Sequence, residues 1–313
     1  MIGIKGTGMA SLAKAYCSCG AIVTGSDIDE EFYTDELLRS LMLVPCRGFS
    51  PENLPESCDL VVVSSAYKAA ENTELLEAKR RKLTVIDYPE ALAGLSAEFQ
   101  TCAVAGTHGK TSICAMIDYL LSELSQPHLA VYGSVFKKAS GIPELQRIDT
   151  HKGDNDKPLK LCIEACEYRG HFLAYSPDCI VLTAVSHDHP DVFSNPEDVL
   201  LMFTEFVLKL PRKGLLIFCR DDEGSCEVQR RVQEKRSDIT FIPYGRKAPG
   251  HYQMHSLAST PGEVTFSFAD DEHVYAIGVP GLHMALNMAG AVAAVKEYFR
   301  LFCSDEGNQA DLQ

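Results

Sequence analysis

Residues 101–112 read Thr-Cys-Ala-Val-Ala-Gly-Thr-His-Gly-Lys-Thr-Ser, and this stretch decides the fold that the sequence predicts. An apolar run typical of a β-strand ends at a glycine loop, residues 106–109, and apolar residues at helical spacing follow from Ile113 to Leu121. This order forms a phosphate cradle, because backbone N–H groups and the positive end of the helix dipole point at the ligand. We therefore predict a nucleotide-binding site here.

The loop is shorter than the Walker A pattern, which has four residues between its glycines. Only two residues separate Gly106 from Gly109, and Val104 occupies the place of the first Walker glycine. In such a loop Lys110 reaches the β- and γ-phosphates, and the Thr111 hydroxyl ligates Mg²⁺. The alternative is a tight strand-to-helix turn that happens to contain a lysine. The predicted ATP-binding residues of this stretch are Gly106, Thr107, His108, Gly109, Lys110, Thr111 and Ser112.

The composition excludes several classes of protein. The 313 residues carry a net charge of −14, which gives no basic face for nucleic acid or an anionic membrane surface. No apolar run approaches a membrane span of about 20 residues, and the N-terminus lacks the layout of a signal peptide. The 12 cysteines form no paired C-x-x-C clusters and often occupy apolar runs, which favours reduced core thiols over a zinc site. We expect a cytoplasmic protein that neither inserts into membranes nor binds nucleic acid.

A second glycine turn lies in Gly3-Ile-Lys-Gly-Thr-Gly-Met9. A helical pattern follows, then an apolar run at 21–24 that predicts a strand, and then Asp27. An acidic residue about 20 positions past the glycines is typical of dinucleotide-binding folds, although Ser11 occupies the place of the third glycine. The turn suits any pyrophosphate, that of NAD or of a UDP-sugar, because backbone N–H groups hold it. A purely structural turn is the alternative.

Alternating strand and helix patterns predict an α/β protein of two domains. We place the boundary near residue 99, so that residues 1–99 form a Rossmann-like domain. Residues 100–313 then form a phosphate-loop domain with a mostly parallel sheet. Three short alternating runs, at 240–244, 263–268 and 273–279, predict antiparallel strands at the edge of that sheet.

Two further strands deliver ionisable side chains. The first carries Glu164 near its C-terminal end, where phosphate-loop proteins place an acid that orients Mg²⁺. The second, beginning at Cys179, leads into His187-Asp-His189-Pro-Asp191, a cluster that suits metal ligation or phosphate contact. A surface glutamate and a solvated turn are the alternatives. Farther on, His283 and Asn287 are four residues apart and share one helix face if the Ala-rich helix there starts early enough.

Together these motifs resemble the Mur ligases of bacterial cell-wall synthesis. The resemblance covers the first two domains of that family and nearly all of this sequence. Four motifs carry it in the family's order: the short phosphate loop, the glutamate segment, the Asp-His-x-Asp segment and the Pro-Gly-x-His helix start. In this sequence they are Gly106–Ser112, Glu164–Tyr168, Asp188–Asp191 and Pro280–Asn287.

The resemblance implies an ATP-dependent ligase of peptidoglycan precursor synthesis. ATP phosphorylates the carboxylate of a UDP-linked muramoyl substrate, and the amine of an amino acid or short peptide attacks the acyl phosphate to give an amide, ADP and phosphate. By resemblance Lys110 balances the γ-phosphate charge, Thr111 and Glu164 hold one Mg²⁺, and His189 contacts a second metal or the transferring phosphate. His283 and Asn287 belong to the nucleotide site. The implied UDP-sugar residues are Gly6, Thr7, Gly8, Met9, Ser26, Asp27, Ser64 and Ser65.

Within the family, the N-terminal glycine turn and Thr24-Gly-Ser-Asp27 are most similar to the members that add L-alanine to UDP-N-acetylmuramate. The members that recycle murein tripeptide share much of the pattern, including a Glu-Tyr pair that stands here as Glu167-Tyr168. Both acceptors stay open.

Some residues depart from the family pattern. Ala184 and Ser186 stand where Asn and Glu are usual, and Met284 replaces the first of two adenine-contacting asparagines. These departures leave open a nucleotide-binding module without turnover. An NAD-dependent oxidoreductase is a third hypothesis, but it leaves the Lys110 loop unexplained. The family continues into a third, Rossmann-like domain, so we expect this sequence to be a fragment that lacks it.

Overall fold

The computed structural model describes residues 1–67, 72–134, 160–187, 193, 195–269 and 271–299. The chain forms two compact units. The bounds of the first unit are Met1–Thr101, Pro127–Cys166 and Gly170–Ser176, and those of the second are Cys102–Gln126, Glu167–Arg169 and Pro177–Gln313.

The first unit begins with short parallel strands and the helices that connect them. β1 (Ser26–Asp27) pairs with β2 (Cys46–Arg47), and β3 (Leu60–Val63) pairs with β4 (Thr84–Asp87), both in parallel. Ile2 forms parallel bridges to both Ser26 and Val63, so one residue links the two pairs into a single parallel array. The predicted Rossmann-like arrangement is confirmed. The helices of this part are α1 (Thr7–Ser18), α2 (Asp35–Ser40), α3 (Thr73–Arg80) and α4 (Tyr88–Glu98).

Two apolar clusters hold these strands and helices together. The apolar face of α1 packs against α2 in the first cluster, and α3 packs against β3 in the second. The first cluster comprises Ile4, Ala10, Ala13, Leu37, Leu38 and Leu41, and the second comprises Ile2, Val61, Val63, Leu75 and Ala78. Burial of each isoleucine, leucine and valine side chain in these clusters stabilises the fold by about 1.5–3 kcal/mol.

The strand predicted at 21–24 is wrong in position. The observed strand begins at Ser26, where the backbone pairs with Ile2 on one side and Cys46 on the other. Ile22 lies outside the paired region and its side chain is 98% exposed. The apolar run at 21–24 therefore predicted the strand a few residues too early, because pairing partners on both sides decide where the strand forms.

A six-stranded sheet has the order β10–β9–β8–β5–β7–β6. Pairing is parallel between β10 and β9, β9 and β8, β8 and β5, and β7 and β6, which confirms the predicted mostly parallel sheet. The strands are β5 (Gln100–Ala105), β6 (His128–Val131), β7 (Lys160–Ala165), β8 (Cys179–Leu182), β9 (Leu215–Cys219) and β10 (Thr240–Tyr244). Their near-continuous apolar sequences fit strands that helices cover on both faces.

Among the described residues, the second unit also contains four α-helices and a separate sheet, whereas β6 and β7 lie within the bounds of the first unit. The helices are α5 (Lys110–Glu123), α6 (Pro196–Leu208), α7 (Glu223–Lys235) and α8 (Leu282–Ala294), and a π-helical turn at Val295–Phe299 extends α8. The sheet is antiparallel and contains β11 (Met254–Ser259), β12 (Val264–Phe268) and β13 (Tyr275–Ile277). None of the helices within the described residues is long and apolar enough to cross a bilayer.

One predicted strand direction is wrong. We expected residues 240–244 to be antiparallel, but β10 pairs with β9 in parallel. The physical reason is the crossover connection. The 13 residues of α7 carry the chain back to the end of the sheet at which β9 begins, so β10 runs in the same direction as β9. The runs at 263–268 and 273–279 do contain antiparallel strands, β12 and β13, but β12 pairs with β11 on one side and with β13 on the other in a separate sheet.

No disulfide links the described cysteines, and several of them are buried in the strands, as predicted for core thiols. Burial raises the pKa of the Cys219 thiol to about 11, and a hydrogen bond with Cys179, together with burial, raises that of Cys102. Such thiols stay neutral and behave as small apolar side chains.

Candidate nucleotide-binding site

The glycine loop lies at the C-terminal edge of the parallel strands. β5 ends at Ala105, which is in register with Leu182 at the end of β8. Residues 106–109 form the loop, and α5 starts at Lys110 with Gly109 as its N-cap residue. The structure thus has the predicted order of strand, loop and helix. Ligands of open α/β sheets bind at this edge, where the first turn of a helix directs N–H groups outward.

Both glycines of the loop are required by its geometry. Gly106 has φ +134°, and a Cβ there would lie 2.0 Å from Thr183 Oγ1. Gly109 has φ +85°, and a Cβ there would lie 2.6 Å from Asn287 Oδ1. Residues with a side chain rarely adopt such backbone angles, and at both positions neighbouring atoms occupy the place where a Cβ would stand. The loop therefore lets its backbone approach other groups closely, as a phosphate cradle requires.

The chain that follows β8 clamps this loop. Thr183 Oγ1 donates to the carbonyl of His108 at 2.6 Å. The N–H of Thr107 donates to the carbonyl of Ala184 at 2.7 Å, and the hydroxyls of Thr107 and Ser186 are 3.0 Å apart. Because these contacts tie the loop to a neighbouring buried strand, its N–H groups are held in place before any ligand arrives.

The N-cap residue of α7 holds the backbone that follows β8. Asp222 is the N-cap residue of α7, where its Oδ1 accepts from the N–H of Ser225 at 2.7 Å. The same oxygen accepts from the N–H of Val185 at 3.0 Å. Sequence reasoning missed both Thr183 and Asp222. The available signal was a polar residue within three positions after each of two buried strands, since such residues meet at one edge of a parallel sheet.

Lys110 turns back onto its own loop and onto a buried carboxylate. Its Nζ donates to the carbonyl of Gly106 at 2.5 Å and to that of Thr107 at 3.3 Å. It also forms an ion pair with Glu167 Oε2 at 2.9 Å. The side chains of Lys110 and Glu167 are only 11% and 1% exposed. Glu167 stands in the segment that we singled out for Glu164, but the sequence did not indicate this pairing.

The C-terminal motif contributes one residue to the loop. Asn287 lies in α8, and its amide is placed against Gly109. His283 lies in the first turn of the same helix and folds over Gly281, whose φ is +117°. The helix starts early enough for both residues to lie within it, as the sequence analysis required.

The predicted metal ligands fall in different parts of the chain. Glu164 lies near the end of β7 in the first unit, where its Oε2 accepts from the N–H of Gly133 at 2.6 Å. Thr111 lies in the first turn of α5 in the second unit. His189 lies outside the described residues, as do Asp188 and Asp191. Within the parts that the structure describes, no three His, Cys, Asp or Glu side chains gather as a metal site.

The N-terminal glycine turn leads directly into α1, with Gly6 as the N-cap residue. The Thr7 hydroxyl bonds to that of Tyr33, and a Cβ on Gly8 would lie 2.9 Å from the ring of Tyr88. The helix N-terminus is therefore bordered by aromatic side chains. Met9, by contrast, is buried in the core.

Asp27 is engaged within the protein. It is 1% exposed, and its carboxylate accepts from the N–H of Lys5 at 2.7 Å, the N–H of Ile28 at 2.9 Å and the hydroxyl of Tyr67 at 3.0 Å. Its neighbour Ser26 is buried too, and the Ser26 hydroxyl has no hydrogen-bond partner among the residues that the structure describes.

The two serines that follow β3 differ in access. Ser64 is half-buried, and its backbone N–H donates to the carbonyl of Ile2 at 2.9 Å. Ser65 is exposed at the start of a short 3₁₀ turn that ends at Tyr67. Ser64 and Asp27 therefore lie at the C-terminal ends of β3 and β1. Ser64 contacts the Ile2 backbone, and Asp27 contacts Tyr67.

Comparison with known proteins gives matches along almost the whole chain. Residues 1–100 match the Mur ligase family, catalytic domain, and residues 104–295 match the Mur ligase middle domain. The UDP-N-acetylmuramate–L-alanine ligase of Treponema pallidum is 38% identical over 299 residues, which cover 94% of this chain and 59% of the relative. The ligase of the same name from Borreliella burgdorferi is 34% identical over 300 residues, covering 94% and 61%. The chain therefore spans about three fifths of the length of these relatives.

Solved structures agree on the fold. The UDP-N-acetylmuramate:L-alanyl-gamma-D-glutamyl-meso-diaminopimelate ligase of Neisseria meningitides superposes with a TM-score of 0.71 at 21% identity, over 99% of this chain and 98% of that one. The UDP-N-acetylmuramate-alanine ligase of Thermotoga maritima superposes with a TM-score of 0.69 at 22% identity, over 94% and 64%. The resemblance that the motifs indicated is confirmed. Since the middle-domain match alone covers more than half of its residues, the chain belongs to the Mur ligase family.

Proposed function

We propose that this chain is the nucleotide- and substrate-binding part of an ATP-dependent ligase that joins L-alanine to UDP-N-acetylmuramate in peptidoglycan precursor synthesis. The observation that carries the proposal is the clamped loop, in which two obligatory glycines precede Lys110 at the start of α5. The curated relatives that bear this activity in their names, at 38% and 34% identity, support the choice of substrate. Many cysteines without a disulfide among the described residues fit a cytoplasmic enzyme.

The work is divided between two domains. Residues 1–99 bind the UDP-sugar, and residues 100–313 bind ATP. The α1 N-terminus offers N–H groups and a positive dipole end to the pyrophosphate of the UDP-sugar, through Gly6, Thr7 and Gly8. Ser64 and Ser65, beyond the end of β3, complete that site. Met9, Ser26 and Asp27 support this site from within the fold, because their side chains are buried.

ATP supplies the phosphoryl group that activates the muramoyl carboxylate. The loop fits a triphosphate, because its glycine backbone leaves no Cβ in the cradle and the helix dipole favours an anion there. Lys110 carries the charge that neutralises the phosphates, and His108 and Ser112 flank it. Oxygen donors suit Mg²⁺, so Thr111 and Glu164 would hold this ion, with His189 at a second metal or at the transferring phosphate. Phosphoryl transfer depends mainly on such positioning and charge balance.

At the nucleotide's other end, Asn287 and His283 of α8 border the site. Asn287 already contacts the loop at Gly109, so it positions the loop as well as the nucleotide. Met284 cannot offer the hydrogen bonds of an asparagine, each worth about 1 kcal/mol. We therefore expect weaker selectivity for adenine than an asparagine pair would give.

The test is ATP-dependent phosphate release by a full-length protein that includes this chain, with Mg²⁺ and UDP-N-acetylmuramate, comparing L-alanine with murein tripeptide. We expect release that requires L-alanine and is lost in Lys110→Ala, whereas Lys235→Ala, an exposed lysine of α7, behaves like the wild type. Release that requires the tripeptide assigns the recycling reaction, with which Glu167-Tyr168 is also compatible. Binding of ATP without release for either acceptor contradicts the ligase and favours a non-catalytic module.

A further inference from the structure

Lys110 has its hydrogen-bonding capacity filled by the protein itself. An ammonium group has three N–H donors. The structure shows three acceptors around Lys110 Nζ: the carbonyls of Gly106 and Thr107 and the Oε2 of Glu167. A phosphate oxygen can therefore take a proton of Lys110 only if one of these acceptors is displaced.

Glu167 is the acceptor that resembles a phosphate. It is the one anion of the three, and its distance of 2.9 Å from Nζ is that of a charge-assisted hydrogen bond. Its side chain is 1% exposed, so solvent screens the interaction little. The carbonyls of Gly106 and Thr107 are neutral and belong to the same loop, four and three residues before Lys110.

We propose that Glu167 acts as an internal counter-ion that competes with the β- and γ-phosphates of the nucleotide for Lys110. It holds the lysine against the loop, and binding of a nucleoside triphosphate transfers the ammonium from Glu167 to the phosphates. Glu167 is thus a positioning residue that lowers nucleotide affinity. This inference rests on the proposed function, since it concerns the same ATP site.

Two effects act in the same direction. A triphosphate must replace a strong, poorly screened ion pair, and it must also approach the negative charge of Glu167. Glu167→Gln keeps the size of the side chain and an oxygen that can accept from Lys110, but it removes the charge. We expect the variant to bind ATP about tenfold more tightly, which corresponds to about 1.4 kcal/mol. Damage to the fold would weaken binding, so a gain in affinity separates the proposal from a merely structural role.

The experiment is calorimetric titration of the 313-residue chain with ATP and Mg²⁺, and separately with AMP. Glu197→Gln is the matched control, because Glu197 also forms an ion pair, in its case with Arg231, but is 55% exposed on α6. We expect tighter ATP binding in Glu167→Gln, unchanged ATP binding in Glu197→Gln, and unchanged AMP binding in both. AMP lacks the phosphates that Lys110 reaches. Equal or weaker ATP binding in Glu167→Gln overturns the proposal.

A second variant covers the case in which Glu167→Gln does not fold. Glu167→Asp keeps the charge but shortens the reach to Lys110, and we expect a smaller gain in ATP affinity, about threefold. No gain in Glu167→Asp overturns the proposal as well. Failure of the wild type and both variants to bind ATP overturns the proposed function and this inference together, whereas binding at equal affinity in all of them overturns the inference alone.

Discussion

Replacing Gly106 by alanine is the sharpest test of the clamped loop. The residue has φ +134°, and a Cβ would lie 2.0 Å from Thr183 Oγ1 and 2.8 Å from the carbonyl oxygen of Ala184. The hydroxyl can rotate away only by giving up its bond to His108, and the carbonyl belongs to backbone that already accepts from Thr107. The variant therefore has no inexpensive way to relax.

The magnitude follows from two contributions. A non-glycine residue in such a backbone conformation costs about 1–3 kcal/mol, and overpacking of a tight site costs about 1–3 kcal/mol more. We expect Gly106→Ala to lower the free energy of unfolding by about 4 kcal/mol. For a unit of this size the melting temperature falls by about 2–4 °C per kcal/mol, so the expected decrease is about 10 °C.

The assay is thermal unfolding of the variant beside Gly262→Ala. Gly262 has no positive φ, and nothing lies within 4 Å of the Cβ position, so its replacement should change the melting temperature by less than about 2 °C. ATP titration below the transition should show affinity reduced by about tenfold or more in Gly106→Ala, because the displaced loop misaligns its N–H groups. If the two variants melt within about 2 °C of each other, the assigned loop geometry is wrong.

Three smaller changes test the surroundings of the loop. Thr183→Val removes the hydroxyl that donates to His108, and we expect about 1–2 kcal/mol less stability in urea denaturation, with weaker ATP binding. Asp222→Ala removes the N-cap of α7 and the acceptor behind the clamp, so the same assay should show a loss of about 1–2 kcal/mol. Hydrogen bonds from Arg236 lower the pKa of Asp238 to about 2, below its unfolded value of about 3.9. The contribution of this pair is full above about pH 4 and is lost as the pH falls toward 2, so the melting-temperature difference between wild type and Asp238→Asn should shrink from pH 6 to pH 3.

The sequence was sufficient wherever a local pattern carries its own physical reason. Apolar runs predicted the buried strands of the second unit, and two glycines before a lysine predicted the turn into α5. Glycine at these positions reports a backbone angle that other residues avoid, and this property belongs to the residue alone. The α/β class and the mostly parallel sheet followed from the same local patterns.

Long-range pairing was beyond the reach of the sequence. The direction of β10 depends on how α7 returns the chain, and the start of β1 depends on its partners Ile2 and Cys46. The family resemblance implied Asn287 as a nucleotide contact, but only the packing of α8 against α5 places its amide at Gly109.

What the sequence by itself determined is therefore the type of site: a glycine loop with Lys110 at a helix N-terminus, in a chain of parallel α/β units. What only the tertiary structure decided is the state of that site. The clamp by Thr183 and the ion pair between Lys110 and Glu167 join residues 57 or more positions apart along the chain. Contacts of this kind depend on which strand ends meet at one edge of a sheet, and no local propensity encodes that choice.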